Sequence, residues 1–276
     1  MKYIFFLIIL VLFSSCSQDS KEIVTKVKGQ NLEKQMIEAY NAGLEALEKG
    51  DTYYAAKKFN EAELIFPQSD WAPRASLMAA YAYWQNGFYN DSINELKRFV
   101  KLYNKNQNLD YAYYLIAMNY YDSIINEKKD LRPLAEAQKY FTLIIDRYPN
   151  TDYALDAKYK LELIQDILAA KEMFIARHYI KKEKWIAAIN RLKFVITEHD
   201  TTIYVEEALH RLVEIYYIIG LEGEAKKYAN ALGYNYQSSE WYKQSYKIFN
   251  KDYDIIKKIK KEGKKDKLLD KIKSFF

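Results

Sequence analysis

The side chain with the clearest chemistry in this sequence is the thiol of Cys16, the only cysteine in the chain. Without a second cysteine it has no partner for an intramolecular disulfide. It follows an apolar run from Tyr3 to Phe13, which comes after a basic start, Met1-Lys2. A basic start, a short apolar run and small residues before a cleavage site are typical of a secretory signal peptide. The run is about half of the ~20 residues that a membrane-spanning helix needs.

The four residues that end at Cys16 resemble a lipobox. The resemblance implies that residues 1–15 are removed as a lipoprotein signal peptide and that Cys16 carries fatty acyl chains on its thiol and on its freed amine. Phe13 stands where such motifs usually have leucine, and Ser17 stands where an aspartate would resemble an inner-membrane retention signal. We therefore expect a lipid anchor in the outer membrane, with the protein on the periplasmic face. The alternative is an ordinary signal peptide with an incidental or structural cysteine.

The three histidines, His178, His199 and His210, do not form a HExxH pair or another metal-ligand spacing. His178 lies in a helical pattern among packing residues, which is more typical of a hydrogen-bonded structural residue than of a ligand. His199 and Asp200 fall at a turn between repeats, where we expect a solvated loop. The sequence also has no glycine-rich phosphate loop and no GxSxG motif. We therefore expect no catalytic residue, no metal site and no cofactor, and a protein that is not an enzyme.

The positive charge of the chain is confined to its last segment. The formal net charge is +5, and residues 251–276 alone contain ten lysines and five acidic residues. The rest of the chain is nearly neutral, which disfavours a nucleic-acid partner. Residues 249–276 form a lysine-rich tail with two short amphipathic stretches, one on each side of Gly263. Such a tail could meet a partner helix or an anionic membrane surface, or it could be solvated and partly disordered.

The elements that must position any binding residues are predicted to be helices. Only eight glycines and four prolines argue against a sheet-rich fold. Residues 16–31, with the lipidated cysteine, are mostly polar and without a clear period, so we expect a flexible tether there. Apolar residues recur at helical spacing over residues 32–248. The longest helix is predicted from an N-cap at Thr151 through Ala169 and on towards Lys182.

The helical segments share a repeated pattern that resembles the tetratricopeptide repeat, in which small residues let two antiparallel helices pack closely. The first copy has Gly43, Gly50, Ala55, Phe59, Ala62 and Pro67. The small residue of the second helix recurs at Ala55, Ser92, Ala137, Ala188 and Ala225, with an insertion around Asn126 to Pro133 in the third copy. A lone hairpin cannot bury its apolar face, whereas stacked hairpins form one continuous core. We therefore predict an all-α superhelix of about five degenerate helical hairpins.

The first helices of the first three repeats predict a binding groove. Repeat superhelices bind with the face that these helices line, at positions beside the packing residues. The groove set is strongly aromatic and consists of Tyr40, Leu44, Leu47, Leu77, Tyr81, Trp84, Tyr111, Tyr114, Met118 and Tyr121. It suits apolar and aromatic side chains of an extended peptide, because rings offer a large rigid contact area. The alternative is that these are core residues and that the frame is displaced by one position.

Several phrases also resemble the BamD family, the lipoproteins of the β-barrel assembly machine. They include Asp146-Arg147-Tyr148-Pro149-Asn150-Thr151-Asp152-Tyr153-Ala154, Trp185-Ile186-Ala187-Ala188-Ile189-Asn190-Arg191, Glu206-Glu207-Ala208-Leu209-His210-Arg211 and Ser239-Glu240-Trp241-Tyr242. The resemblance spans about residues 5–248 and is strongest from Leu134 onward.

The resemblance implies specific partners. Members of this family bind the barrel-forming subunit BamA through their C-terminal repeats, which would place Arg191 near the partner face, and they work with the other subunits of the assembly machine. Their N-terminal repeats are thought to receive the C-terminal strand of unfolded outer-membrane proteins, which typically ends in an aromatic residue. The leading hypothesis is thus a non-enzymatic assembly factor for outer-membrane β-barrels. The alternative is a tetratricopeptide-repeat lipoprotein that serves as a scaffold for cell-wall or division proteins.

Overall fold

The computed structural model describes residues 19–124 and 130–249, with side chains described from residue 31 onward. The signal peptide, Cys16 and residues 250–276 lie outside the described residues. The regular structure of the described residues consists of helices, and these residues contain no strand. The helices are α1 (Asp19–Glu48), α2 (Thr52–Ile65), α3 (Ala72–Gln85), α4 (Tyr89–Leu102), α5 (Leu109–Asp122), α6 (Arg132–Arg147), α7 (Asp152–Lys181), α8 (Trp185–Glu198), α9 (Val205–Ile218), α10 (Glu222–Asn235) and α11 (Glu240–Phe249).

The helices pair in chain order into five hairpins, α1/α2, α3/α4, α5/α6, α7/α8 and α9/α10, followed by the single helix α11. The prediction of an all-α fold of about five helical hairpins is therefore confirmed. The chain divides into two compact units. Unit 1 comprises the residues up to 123 together with 133–157, and unit 2 comprises residues 124–132 and those from 158 onward.

The second helix of every hairpin is held by the small residue that the repeat pattern predicts. Ala55, Ser92, Ala137, Ala188 and Ala225 are all fully buried. The serine of the second hairpin is accommodated because its hydroxyl donates a hydrogen bond to the Ala80 carbonyl oxygen at 2.8 Å. In the first hairpin a Cβ atom added at Gly43 would lie 2.8 Å from the ring of the fully buried Phe59. Glycine is needed there because any side chain would push the two helices apart.

In four of the five hairpins, the turn between the two helices contains one residue with a left-handed backbone conformation. Gly50, Gly87 and Gly220 have φ values of 79°, 74° and 86°, a conformation that glycine adopts without steric cost. In the fourth hairpin the corresponding turn between α7 and α8 has Glu183 with a φ of 55°. These tight turns hold the two helices of each of these four hairpins antiparallel.

Two helix boundaries test the sequence predictions directly. The long helix predicted from Thr151 towards Lys182 is confirmed, since α7 spans Asp152–Lys181 and the Thr151 hydroxyl accepts a hydrogen bond from the Ala154 amide at 3.2 Å. It is not longer than every other helix, because α1 also has 30 residues. The segment expected to serve as a flexible tether, residues 16–31, is helical from Asp19 onward, where α1 begins. The segment lacks an apolar period but is rich in lysine, glutamate and glutamine, which have high helix propensity.

Candidate functional site

Unit 1 contains a row of half-buried rings on the first helices of successive hairpins, which we call the aromatic strip. It consists of Tyr81 and Trp84 on α3, Tyr111 and Tyr114 on α5, and Tyr153 in the first turn of α7. The centroids of the Tyr81 and Trp84 rings are 5.7 Å apart. The Tyr153 ring lies 5.5 Å from that of Tyr111 and 5.1 Å from that of Tyr114. These spacings are within the range of favourable ring–ring contacts.

The row forms because each of these helices has little surface left for solvent. α3 contacts α2, α4 and α5, so only a narrow stripe of its surface stays outside these contacts. Tyr81, Trp84 and Tyr111 pack one side of their rings against the buried cluster around Leu96 and Phe99. A half-buried ring on a well-packed base is held in one orientation, which makes it suited to binding.

Hydrogen bonds fix the polar ends of the strip. The Trp84 indole Nε1 donates to the Asp122 carboxylate at 2.9 Å, and the Tyr114 hydroxyl donates to the Asp156 carboxylate at 2.6 Å. Each of these bonds joins two different helices of unit 1, so the rings are tied to their neighbours as well as to the core. The Tyr81 hydroxyl accepts a bond from the Gln85 amide at 2.6 Å.

The pKa values of three tyrosine hydroxyls in the strip are raised, so these groups stay protonated at neutral pH. Burial raises the pKa of Tyr111, and the nearby hydroxyls of Tyr81 and Tyr153 add to the effect. Burial also raises the pKa of Tyr114, as does its hydrogen bond to Asp156. Burial and the carboxylates of Asp110 and Asp152 raise the pKa of Tyr153. The strip therefore presents neutral rings and hydroxyl groups beside carboxylates, which suits an aromatic ligand that also carries positive charge.

The predicted groove set is only partly assembled. Tyr81, Trp84, Tyr111 and Tyr114 lie together as described, and Tyr121 is half-buried further along α5. Leu77 and Met118 are wrong as groove residues, because they are only 6% and 9% exposed. Leu77 packs into the cluster between α3, α4 and α5. The alternative of a core position thus applies to two residues of the set.

The members of the set on α1 serve packing within the first hairpins. Tyr40 makes edge-to-face contacts with Phe59 and Trp71 at centroid distances of 5.2 and 5.3 Å. Burial raises the pKa of its hydroxyl, while the positive charge of Arg74 opposes this shift. Leu44 and Leu47 pack, half-buried, against the cluster around Ala55. These three residues pack within unit 1. Among the described side chains, no ring contact joins them to the aromatic strip.

Sequence reasoning missed Tyr153, which joins the two rings of α5. Its neighbours along the chain mark it only as the second residue after the helix N-cap Thr151. One feature of the sequence could have identified Tyr153. It lies in the first turn of α7, the first helix of the next hairpin, and an aromatic residue there can contact α5, the first helix of the hairpin before.

The first helix of the last hairpin, α9 in unit 2, carries buried charged residues at the positions where α5 in unit 1 carries the rings of the strip. Glu207 on α9 accepts hydrogen bonds from Arg177 on α7, at 3.0 Å to Nε, and from Arg211 at 3.5 Å. Arg211 is only 4% exposed, and its Nη1 donates to Glu214 at 2.7 Å. Its guanidinium group also lies over the Trp241 ring of α11, 5.3 Å from the centroid. Every charge in this cluster has an opposite partner, as buried charges require.

Two histidines are part of the packing of unit 2. His210 is 2% exposed, and its Nδ1 lies 2.7 Å from the Ser245 hydroxyl. Burial would raise the pKa of Glu214, but its hydrogen bond with His210 and the charge of Arg211 lower it. The prediction of a solvated loop at His199 is wrong, since His199 is buried and its Nδ1 lies 2.8 Å from the Gln165 amide oxygen. Burial lowers the pKa of His199.

His178 differs from the expected packed residue because it is exposed on α7, with its ring 6.1 Å from that of Tyr179. Within the described ranges, no group of three or more histidine, cysteine, aspartate or glutamate side chains is placed to hold a metal ion.

Arg191, the predicted partner-face residue, is exposed on α8, and its Nη1 donates to Glu172 on α7 at 3.0 Å. The same helix exposes two large apolar side chains, Ile186 at 78% and Phe194 at 46%. Exposed apolar residues beside an arginine are characteristic of protein-binding surfaces.

The helical hairpins, their small packing residues and their left-handed turns define a tetratricopeptide-type repeat protein. The model of the YfiO family, described as "Outer membrane lipoprotein", matches residues 32–232. The chain belongs to this family. No helix in residues 19–124 and 130–249 combines the length and the apolar content that crossing a membrane requires.

Three of the similar proteins carry the same name. A protein of Caulobacter vibrioides, named outer membrane protein assembly factor BamD, is 40% identical over 76% of this chain and 69% of its own length. A protein of the same name from Rickettsia prowazekii is 40% identical over 76% of this chain and 83% of its own length. Another from Neisseria gonorrhoeae is 34% identical over 56% of this chain and 62% of its own length.

Proposed function

We propose that this chain is a non-enzymatic, lipid-anchored assembly factor for outer-membrane β-barrel proteins. Its membership of the YfiO family and the name that its relatives share, outer membrane protein assembly factor, support this function. The sequence around Cys16 supports an acyl anchor that holds the protein on the periplasmic face of the outer membrane.

The aromatic strip is the proposed site for clients. Its rings are half-buried on a packed base, and they lie along three successive hairpins at centroid distances near 5.5 Å where they touch. An extended strand presents alternate side chains to one face, so a run of spaced rings can contact several of them. This row of rings is the single observation that carries the client-binding part of the proposal.

The C-terminal repeats are the proposed site for the barrel subunit BamA. The exposed surface of α8 carries the apolar side chains of Ile186 and Phe194 and the guanidinium group of Arg191, which pairs with Glu172. Such groups are enriched at protein interfaces and at their energetic centres. In the same unit, ion pairs join Arg177 to Glu207 and Arg211 to Glu214.

A binding measurement tests the client site. We expect Trp84→Ala in the full chain to weaken binding of a fluorescent peptide with an aromatic C-terminus about tenfold or more, since loss of a large packed ring often costs ~2 kcal/mol. The matched control is Tyr54→Ala, which removes a ring that is 46% exposed on α2, away from the strip. Equal affinities of both variants and the wild type, with unchanged melting temperatures, would refute the strip as the client site.

A depletion experiment separates the two functions that the sequence allows. An assembly factor predicts loss of many β-barrel proteins from the outer membrane, together with recovery of the barrel subunit when the chain is purified in mild detergent. A scaffold for cell-wall or division proteins predicts a wall or septation defect with normal barrel levels. The second outcome would overturn the proposed function.

A further inference from the structure

We propose that the aromatic strip selects client segments in which aromatic residues alternate with lysine or arginine, and that it disfavours the free C-terminal carboxylate of a client. The inference rests on the proposed function, because it names the chemistry of the client that the strip takes. It fails on its own if the strip binds aromatic peptides without regard to their charge.

Carboxylates lie beside the rings of the strip. The Asp122 carboxylate accepts the hydrogen bond of the Trp84 indole, and the Asp156 carboxylate accepts that of the Tyr114 hydroxyl. These two aspartates come from α5 and from residues 152–157, which together contain four aspartates and neither lysine nor arginine. A client that reaches this end of the strip therefore meets negative charge and no basic side chain from these two segments.

The other two aspartates of these segments lie near Tyr153. Asp110 and Asp152 both contribute to the raised pKa of the Tyr153 hydroxyl, so their charges act at this ring. The ion pairs among the described side chains include neither of these two aspartates, nor do they include Asp156. Three carboxylates beside the rings therefore have no lysine or arginine of the described residues paired with them.

The basic residue of α3 does not offset these charges. Arg74 is the only lysine or arginine of that helix, and its guanidinium group lies over the Trp71 ring, 5.4 Å from the centroid. Trp71 packs against Tyr40, outside the strip. Across residues 31–123 and 133–157, sixteen acidic side chains stand against eleven basic ones. The described part of unit 1 thus has a negative net charge, which favours encounter with basic ligands.

The spacing of the rings fits an extended segment with alternating side chains. In a strand, every second residue lies on the same face, and these residues are about 6.7 Å apart. The touching rings of the strip have centroid distances from 5.1 to 5.7 Å. An aromatic side chain can therefore pack on the rings while a lysine or arginine two residues away reaches a carboxylate or a ring face. An acidic side chain or a C-terminal carboxylate would meet like charges instead.

Three fluorescent peptides with amidated C-termini test the selectivity of the full chain. Each ends in phenylalanine and has a second phenylalanine four residues earlier, and they differ only in the residue midway between the two, which is lysine, glutamine or glutamate. We expect the lysine peptide to bind roughly fivefold more tightly than the glutamate peptide at about 0.1 M salt, with the glutamine peptide between them. The difference should shrink at about 0.5 M salt, because salt screens the charges. The glutamine peptide should also bind roughly twofold more tightly as the amide than as the free carboxylate.

A charge-neutralising variant identifies the carboxylates responsible. Asp152→Asn combined with Asp156→Asn should remove most of the difference between the lysine and glutamate peptides. Asparagine still offers an acceptor to the Tyr114 hydroxyl but carries no charge, and a purely structural change would weaken all three peptides alike. The matched control is Asp146→Asn, which removes the same charge from an exposed position on α6 and should leave the difference unchanged.

The outcomes separate this inference from the proposed function. If the lysine and glutamate peptides bind equally, or if the double substitution leaves their ratio unchanged, charge selectivity is refuted. The strip remains the client site in that case if Trp84→Ala weakens binding of both peptides. Tighter binding of the glutamate peptide or of the free carboxylate would overturn the inference in favour of a strip that reads an acidic end. If no peptide binds any form of the protein, both the proposed function and this inference fail.

Discussion

Helices α5 and α9 occupy the same place in their hairpins and have the same length, 14 residues. When the first residues of the two helices, Leu109 and Val205, are aligned, Tyr111 and Tyr114 of α5 correspond to Glu207 and His210 of α9. The α5 residues contribute half-buried rings to the aromatic strip, whereas Glu207 and His210 are 8% and 2% exposed.

The difference follows from what covers each helix. In unit 2, α11 packs on α9, with Trp241 over His210 at a centroid distance of 5.2 Å. In unit 1, Tyr111 and Tyr114 of α5 meet the ring of Tyr153 at the start of α7, and Tyr114 also meets the Phe141 ring and donates to Asp156, but both tyrosines stay half-buried. One repeat frame therefore serves two purposes, depending on how much of the face the following helix covers. Polar groups that are fully covered must be paired, while uncovered rings are available to a ligand.

The strongest test of this comparison removes a charge from the covered face. We expect Glu207→Gln to lower the free energy of unfolding by about 3 kcal/mol, because it leaves the buried Arg211 without its carboxylate partner on one side. Urea unfolding followed by circular dichroism measures this loss. The matched control is Glu206→Gln on the same turn, which should change the free energy by less than ~0.5 kcal/mol. Equal effects of the two substitutions would mean that the cluster is not needed for stability.

A smaller change in the free energy of unfolding is expected when a glycine that packs against a neighbouring helix is replaced by alanine. Gly43→Ala would place a Cβ atom 2.8 Å from the Phe59 ring, and overpacking of about 1–3 kcal/mol exceeds the gain in helix propensity of about 1 kcal/mol. We expect a net loss of about 1 kcal/mol in thermal or urea unfolding. Gly223→Ala on α10 has nothing within 4 Å and should stabilise by about 0.5–1 kcal/mol. Stabilisation by both changes would show that the first hairpin is not tightly packed.

The smallest effects concern the left-handed turns. Gly220→Ala should destabilise unit 2 by about 0.5–1 kcal/mol, because alanine is strained at a φ of 86°. Glu183→Gly should instead stabilise by about 0.5 kcal/mol, since it relieves the same strain at a φ of 55°. Calorimetry of the two variants and the wild type measures whether each melting temperature falls or rises. A loss of stability from Glu183→Gly would show that the glutamate side chain contributes more than its backbone strain costs.

The repeat framework was accessible from the sequence because close helix packing restricts residue type at fixed positions. Ala55, Ser92, Ala137, Ala188 and Ala225 were predicted from their spacing, and all are fully buried. The N-cap at Thr151 followed in the same way from a local hydrogen-bonding requirement.

The site was less accessible because it depends on which helices cover which faces. Leu77 and Met118 share the helical face of the predicted rings, but neighbouring helices bury them. His199 and Arg211 resemble solvated residues in sequence, and only the contacts of Gln165 and Glu207 place them inside. Periodicity identifies a packed stripe but does not reveal which polar residues another helix encloses.

The central claim is that the rings of unit 1 contact clients while the exposed face of α8 contacts the barrel subunit. Photocrosslinking in intact membranes tests it most directly, with a photoreactive phenylalanine derivative in place of either Tyr153 or Ile186. We predict crosslinks to unfolded outer-membrane proteins from position 153 and to the barrel subunit from position 186. Client crosslinks from position 186 together with none from position 153 would contradict this assignment.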